Sequence, residues 1–235
     1  MAEVWARLQQ IDLRLDEWRL WLAEVGWPVM AAGLLLLLAL AWFAGWQQKR
    51  RRTQTMLAAV KDATFGRCIP RSRTGAWGFA VAVEPPPDRF REFNISYQPV
   101  SILDPVAWPR VLVGGQRPRL LISGVLVDAP TAELIWARGH HPARALGVNP
   151  GRAPWVQSKL DYVRVEFATR GTNVAAMRHT FQDLMARFTP ILQSITIQRE
   201  RRPHFRLVAE GRIEARDVSP LITAARTFGR AAMME

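Results

Sequence analysis

The stretch WPVMAAGLLLLLALAWFAGW, residues 27–46, decides how the rest of the chain is read. It contains no charged residue, and Leu34, Leu35, Leu36, Leu37 and Leu38 stand in a row. A helix of that length, at about 1.5 Å per residue, covers about 30 Å, the thickness of a bilayer's hydrocarbon core. Trp27 stands at one end, with Trp42 and Trp46 toward the other, where an interfacial aromatic belt places such rings. A helix in a soluble core rarely runs so far without a polar contact, so a transmembrane helix is expected. Ala39-Leu40-Ala41 has the small-residue look of a signal-peptide cleavage site. The region before the span, however, is long and carries five acids, whereas a signal's leading region is short and positive. A retained anchor is the expectation.

On the C-terminal side the span is followed at once by Lys49, Arg50, Arg51 and Arg52, while the nearest basic residue before it is Arg19. The positive-inside rule then puts the C-terminal domain in the cytoplasm and the N-terminus outside, as a single-pass protein of the cell (inner) membrane. The same four residues are candidate contacts for anionic headgroups. On the N-terminal side Val4, Trp5, Leu8, Ile11, Leu15, Trp18 and Leu22 recur at helical spacing. Such a stripe lies in the headgroup plane or packs on a neighbouring subunit, which makes Trp5, Leu8, Ile11, Leu15 and Trp18 candidate partner contacts. A plain helical extension of the anchor accounts for it equally. Gly26 and Pro28 allow a bend before the span.

The net charge of +12 is unevenly spread. Residues 1–46 hold three Arg against five acids, a net of −2, so the remainder carries +14. That balance suits an anionic lipid surface, a nucleic acid or an acidic protein face. Only three of the 32 basic residues are Lys, so a solvated surface in an Arg-favouring composition explains it too. Cys68 is the single cysteine, which excludes an internal disulfide framework and a Cys-built zinc site.

The expected organisation is an amphipathic helix over 1–26, the span over 27–46, and a basic juxtamembrane segment and linker over 47–75. A soluble α+β domain follows over 76–235. Within the juxtamembrane segment 53–64 reads as a short separate helix. In the domain, strands are expected over 77–83 and 90–103, with Phe93, Ile95 and Tyr97 on one face. Residues 120–127 and 133–138 read as a hairpin around Asp128–Thr131. The clearest unit is 160–233. There, 161–168 alternates as a strand, and Val174, Met177, Phe181, Leu184, Met185 and Phe188 form one helical face. Strands over 194–200 and 204–211 follow, then a helix opened by Ser219-Pro220. This β-α-β-β-α order implies helices on one face of a mostly antiparallel sheet. Whether 76–138 joins that sheet is open from sequence.

Over about residues 161–232 this layout, behind an anchor and a basic run, resembles the single-span ER protein family that assists insertion of multipass membrane proteins. The likeness rests on element order, and no residue role is carried over from it.

No chemistry-bearing constellation emerges. His140-His141 has no Cys, Asp or Glu within six residues, and vicinal rings reach one ion poorly, so a polar loop is expected over a metal site. His179 and His204 have no acid partner in the pattern. Phosphate loops, dinucleotide fingerprints and nucleophile elbows are missing from the sequence. The strands around 195–210 lack the Gly-interleaved aromatics of RNA-recognition domains, which argues against nucleic acid. The expectation is therefore a non-enzymatic accessory subunit with no catalytic, cofactor or metal residues. Its partners would be the bilayer, a larger membrane protein complex and anionic headgroups. A membrane-tethered enzyme with an unrecognised site, or a tethered anionic-lipid or nucleic-acid binder, is the alternative.

Overall fold

The computed structural model describes residues 2–72, 74–140, 155–160, 165–172 and 174–233, without the side chains of residues 2–25, Trp27 and Arg110. Among these the architecture is α+β: a long apolar N-terminal helix, two further helices and one sheet of nine strands.

Helix α1 (Ala2–Ala63) is broken once, at Gly26, whose φ of 70° and ψ of 144° are non-helical. Glycine takes positive φ without a Cβ penalty, and Pro28, preset to a helical φ, suits the first turn after the break. From Pro28 the helix continues to Ala63. Residues 53–64 are therefore no separate helix: Gln47, Gln48, Lys49 and the three arginines are good helix formers and give the chain no reason to stop.

The strands are β1 (Cys68–Pro70), β2 (Phe79–Val83), β3 (Phe90–Gln98), β4 (Arg119–Leu126), β5 (Ala132–Ala137), β6 (Val156–Leu160), β7 (Val165–Gly171), β8 (Leu192–Ile197) and β9 (Phe205–Glu210). They lie in the order β1-β2-β3-β4-β9-β8-β5-β7-β6, and the described pairings are antiparallel. The first half of the chain thus shares one sheet with the second, and β5 lies between β7 and β8. The register sets a buried row across six strands. Val81 lies opposite Ile95, Ile95 opposite Ile122, Ile122 opposite Leu207, Leu207 opposite Ile195, and Ile195 opposite Trp136. The reverse face carries Asn94, Ser123, Arg206 and Thr196 in the same register, so the period-2 alternation separates core from surface.

Helices α2 (Val174–Phe188) and α3 (Ala215–Ala231) cover the apolar row together with the second half of α1. α3 lies in the middle, touching both α1 and α2. The buried face of α2 is Met177, Phe181, Leu184, Met185 and Phe188, while Val174, expected on the same face, is half-buried at its first turn. Phe181 meets the rings of Phe167 at 4.7 Å and Trp136 at 5.9 Å.

Two further expectations fail. Residues 120–127 and 133–138 are not a hairpin, because β9 and β8 stand between β4 and β5. The link 127–131 steps over both strands, about 14 Å at about 4.8 Å per strand, within reach of five near-extended residues. A proline-containing polar link reads the same in sequence whether it turns back or steps across. The last helix also begins a turn before Ser219-Pro220. Glu214 caps it in a reciprocal box with Asp217, whose Oδ2 accepts the Glu214 N–H at 2.8 Å.

Candidate functional site

The anchor residues lie on an outward-facing helix. Leu34, Leu35, Leu36 and Leu37 are each about 60% exposed, and Trp42 and Phe43 about half, so this part of α1 has no apolar partner within the described residues. Among the described residues, Pro28–Ala63 is a helix long and apolar enough to cross a membrane. Leu38 is half-buried. Trp46 is half-buried, stacks on Phe43 at 6.0 Å and carries the Arg50 guanidinium 5.5 Å above its ring. The side chains of Trp5, Leu8, Ile11, Leu15, Trp18 and Trp27 lie outside the described set.

Below the apolar run α1 changes character. Gly45, Lys49, Thr53, Met56, Val60 and Thr64 are buried, at spacings of four, four, three, four and four. This seam docks α1 on the domain. Fully burying Met56 and Val60 contributes about 1.5–3 kcal/mol each before the cost of ordering them. At its upper end α1 is gripped by the segment after β3. Ser101 donates to Gln48 Oε1 at 2.6 Å, and Lys49 Nζ lies 2.5 Å from Asp104 Oδ2. The Trp77 ring lies 4.8 Å from the same ammonium. Of the four basic residues after the span, Lys49 thus points inward, while Arg50, Arg51 and Arg52 remain exposed.

Two basic clefts flank the sheet. The nearer one, beside the upper part of α1, is about 760 Å³ and is bounded by Arg51, Arg52, Arg117 and Arg212, with Tyr97 and Glu214. Burial raises the Tyr97 phenol above its ordinary range, an effect that Arg52 partly opposes. The second cleft, at the opposite end of the sheet, is about 860 Å³. It lies under the 127–131 link and draws in Arg91, Arg170, Arg199, Arg202, Glu133 and His204. Glu133 is buried, bonded to the Arg170 guanidinium, and its Oε1 accepts the Arg199 N–H at 2.7 Å. Its charge is matched, as a buried carboxylate requires. What these clefts offer chemically is guanidinium donors for an anionic group.

The histidines are scattered. His140 closes the turn after β5 and His141 lies outside the described residues. His179 does have an acid partner, Asp183 one turn on, at 3.3 Å and exposed. His204 is buried, and its Nδ1 accepts the Leu126 N–H at 3.2 Å. Among the described residues no group of three or more His, Cys, Asp or Glu is placed to hold a metal ion.

No protein-family model matches the chain, and no curated protein matches its sequence.

Both clefts escaped the sequence, since Arg51, Arg117 and Arg212 are brought together only by the strand order. The seam at Met56 and Val60 escaped it too, since 53–64 read only as a short separate helix. Lys49 and Thr53 extend it through polar residues that no apolar pattern marks.

Proposed function

We propose that this protein is a single-span, non-enzymatic accessory subunit, anchored in the cell (inner) membrane, whose domain lies on the cytoplasmic face and docks on a larger membrane assembly. The observation that supports this reading is the division of α1. Between Pro28 and Ala63, the stretch up to Phe43 presents apolar residues outward and one face of the remainder is buried in the domain, so a single helical segment couples the span to the soluble fold. A domain coupled in this way is held at a fixed height above the bilayer. Its basic clefts then meet the acidic surface of a neighbour without paying for reorientation.

Orientation rests on the run from Lys49 to Arg52, which is read during insertion, before Lys49 meets Asp104. The run from β7 to α3 is read as the β-α-β-β-α unit of that domain, with β5 inserted in the sheet between β7 and β8. The arginine cleft beside the upper part of α1 favours a second reading, binding of anionic headgroups.

The test is purification of the full chain from membranes in mild detergent at low salt, followed by a wash above about 0.5 M salt, where exposed charge contacts are screened. Membrane partners in fixed ratio are expected at low salt and reduced after the wash. Deleting residues 1–22 is expected to loosen the complex further. A lone monomer at every salt concentration that turns over a small molecule would replace this reading with an enzymatic one. External protease in intact cells is expected to leave residues 53–235 uncut; cutting there reverses the orientation.

A further inference from the structure

We propose that the segment 99–113 is a second membrane-seated element, whose apolar side chains enter the bilayer interface beside the α1 span. The proposal rests on the reading of α1 as an anchor, and the side chains it places in lipid lie in a different part of the chain.

The segment is pinned at one height on α1. A Cβ at Gly45 would come within 2.8 Å of the Asp104 backbone nitrogen and 2.9 Å of the Leu103 carbonyl carbon, so only glycine lets the two backbones meet. Ser101 and Asp104 then spend their polar groups inward on Gln48 and Lys49. Gly45 is three residues past Trp42, about 4.5 Å along the helix axis. The segment therefore sits at the level where the apolar run ends.

Its described large outward side chains are apolar. Ile102, Val106 and Leu112 are each about 70% exposed, Val113 is 90% exposed, and Leu103 and Trp108 are partly exposed. Trp77, 79% exposed, stands beside them over Lys49. A soluble surface does not normally gather such residues in one patch. Its backbone also suits a poorly hydrated site, where hydrogen-bonding groups must find partners within the protein. Asp104 Oδ1 accepts the Val106 N–H at 3.1 Å to open a short 3-10 turn over Pro105–Ala107, and a π-helical turn follows over Pro109–Val113. The Trp108 indole N–H donates to the Ile102 carbonyl at 2.6 Å. An indole near the headgroups with its N–H satisfied, and basic side chains just below it, matches the arrangement of interfacial anchors. The arginines of the nearer cleft supply the charge. The occupant is the lipid bilayer itself.

The experiment places a nitroxide spin label at one position at a time in the full chain with Cys68→Ser. The chain is reconstituted in vesicles of phosphatidylcholine and phosphatidylglycerol, and relaxation by oxygen is compared with relaxation by a water-soluble nickel chelate. The positions are Val113→Cys, Leu112→Cys, Leu36→Cys in the span and Phe65→Cys. Phe65 is the control for exposure alone: it is apolar and 82% exposed, yet it follows the far end of α1, about 30 Å from Gly45 along the helix. Labels at Val113 and Leu112 are expected to favour oxygen, as at Leu36, and to differ from Phe65. Nickel-dominated relaxation at Val113 and Leu112, with Leu36 still in lipid, overturns the proposal and leaves the anchor intact. If Leu36 also reads as aqueous, the anchor reading and this proposal fall together. Shielding of Val113 from both reagents assigns the patch to a protein partner and equally overturns it.

Discussion

The Lys49 ammonium and the Asp104 carboxylate lie 2.5 Å apart, 55 residues distant in sequence and almost wholly removed from solvent. Two buried charges that satisfy each other cost desolvation, and removing one strands the other. Lys49→Met is therefore expected to destabilise the chain by about 3–5 kcal/mol. Adding Asp104→Asn, which keeps an oxygen for the Val106 N–H, is expected to recover most of that loss. Denaturation of the full chain in detergent, read for both single variants and the double, measures the coupling. Additive losses would mean that the pair is solvated.

Phe90 is seated in a notch made by two glycines on different elements. A Cβ at Gly124 on β4 or at Gly229 on α3 would collide with its ring, while Phe93 and Phe205 hold that ring edge-on at 5.0 and 6.0 Å. Gly229→Ala, which in an exposed helix would stabilise, is here expected to cost about 1–3 kcal/mol through overpacking. Phe90→Leu combined with Gly229→Ala should lose less than the two single losses together. Thermal unfolding midpoints of the three variants decide this.

What the sequence made legible follows a physical boundary. The long apolar helix, the stripe of α2 and the alternation of Phe93, Ile95 and Tyr97 are local, because hydrophobicity and period are properties of the residues themselves. The misread hairpin at 128–131 and the late start given to α3 concern which segment answers a local signal, and the chain does not state that locally. The Lys49–Asp104 pair and the arginine cleft belong to the same class: each needs the strand order before its members are neighbours. The outward apolar residues from Ile102 to Val113 carry no period. They gain meaning only from the height at which Gly45 holds them.

Helix α2 offers a direct test of which face is buried. Phe181 is fully buried and Leu184 nearly so, whereas the His179 side chain is 76% exposed and pairs with Asp183. Phe181→Ala is expected to cost about 3–5 kcal/mol and Leu184→Ala about 2–5 kcal/mol. His179→Ala is expected to stay within about 0.5 kcal/mol of the parent. Comparable losses at 179 and 181, measured by chemical denaturation, would place the helix the other way round.

His204 gives the fold a pH dependence of defined sign. Burial lowers its pKa below the usual histidine range, and the Arg202 guanidinium lowers it further. The same cleft holds the guanidinium groups of Arg91, Arg170 and Arg199 and the carboxylates of Asp128, Glu133 and Glu200. Nδ1 of His204 accepts the Leu126 N–H, and protonation would set donor against donor. The unfolded chain takes up this proton near pH 6.5, while the folded chain resists until lower pH. Between the two values the unfolded state binds more protons, so stability rises with pH across that window. It is fully present above about pH 6.5 and falls as pH drops toward the lowered folded value. His204→Gln keeps a side-chain acceptor without a titrating ring. Denaturant midpoints of the full chain in detergent, taken from about pH 5 to about pH 8, are expected to fall at the acid end more steeply for the parent than for this variant. Parallel curves would show that His204 titrates as freely in the fold as in the unfolded chain.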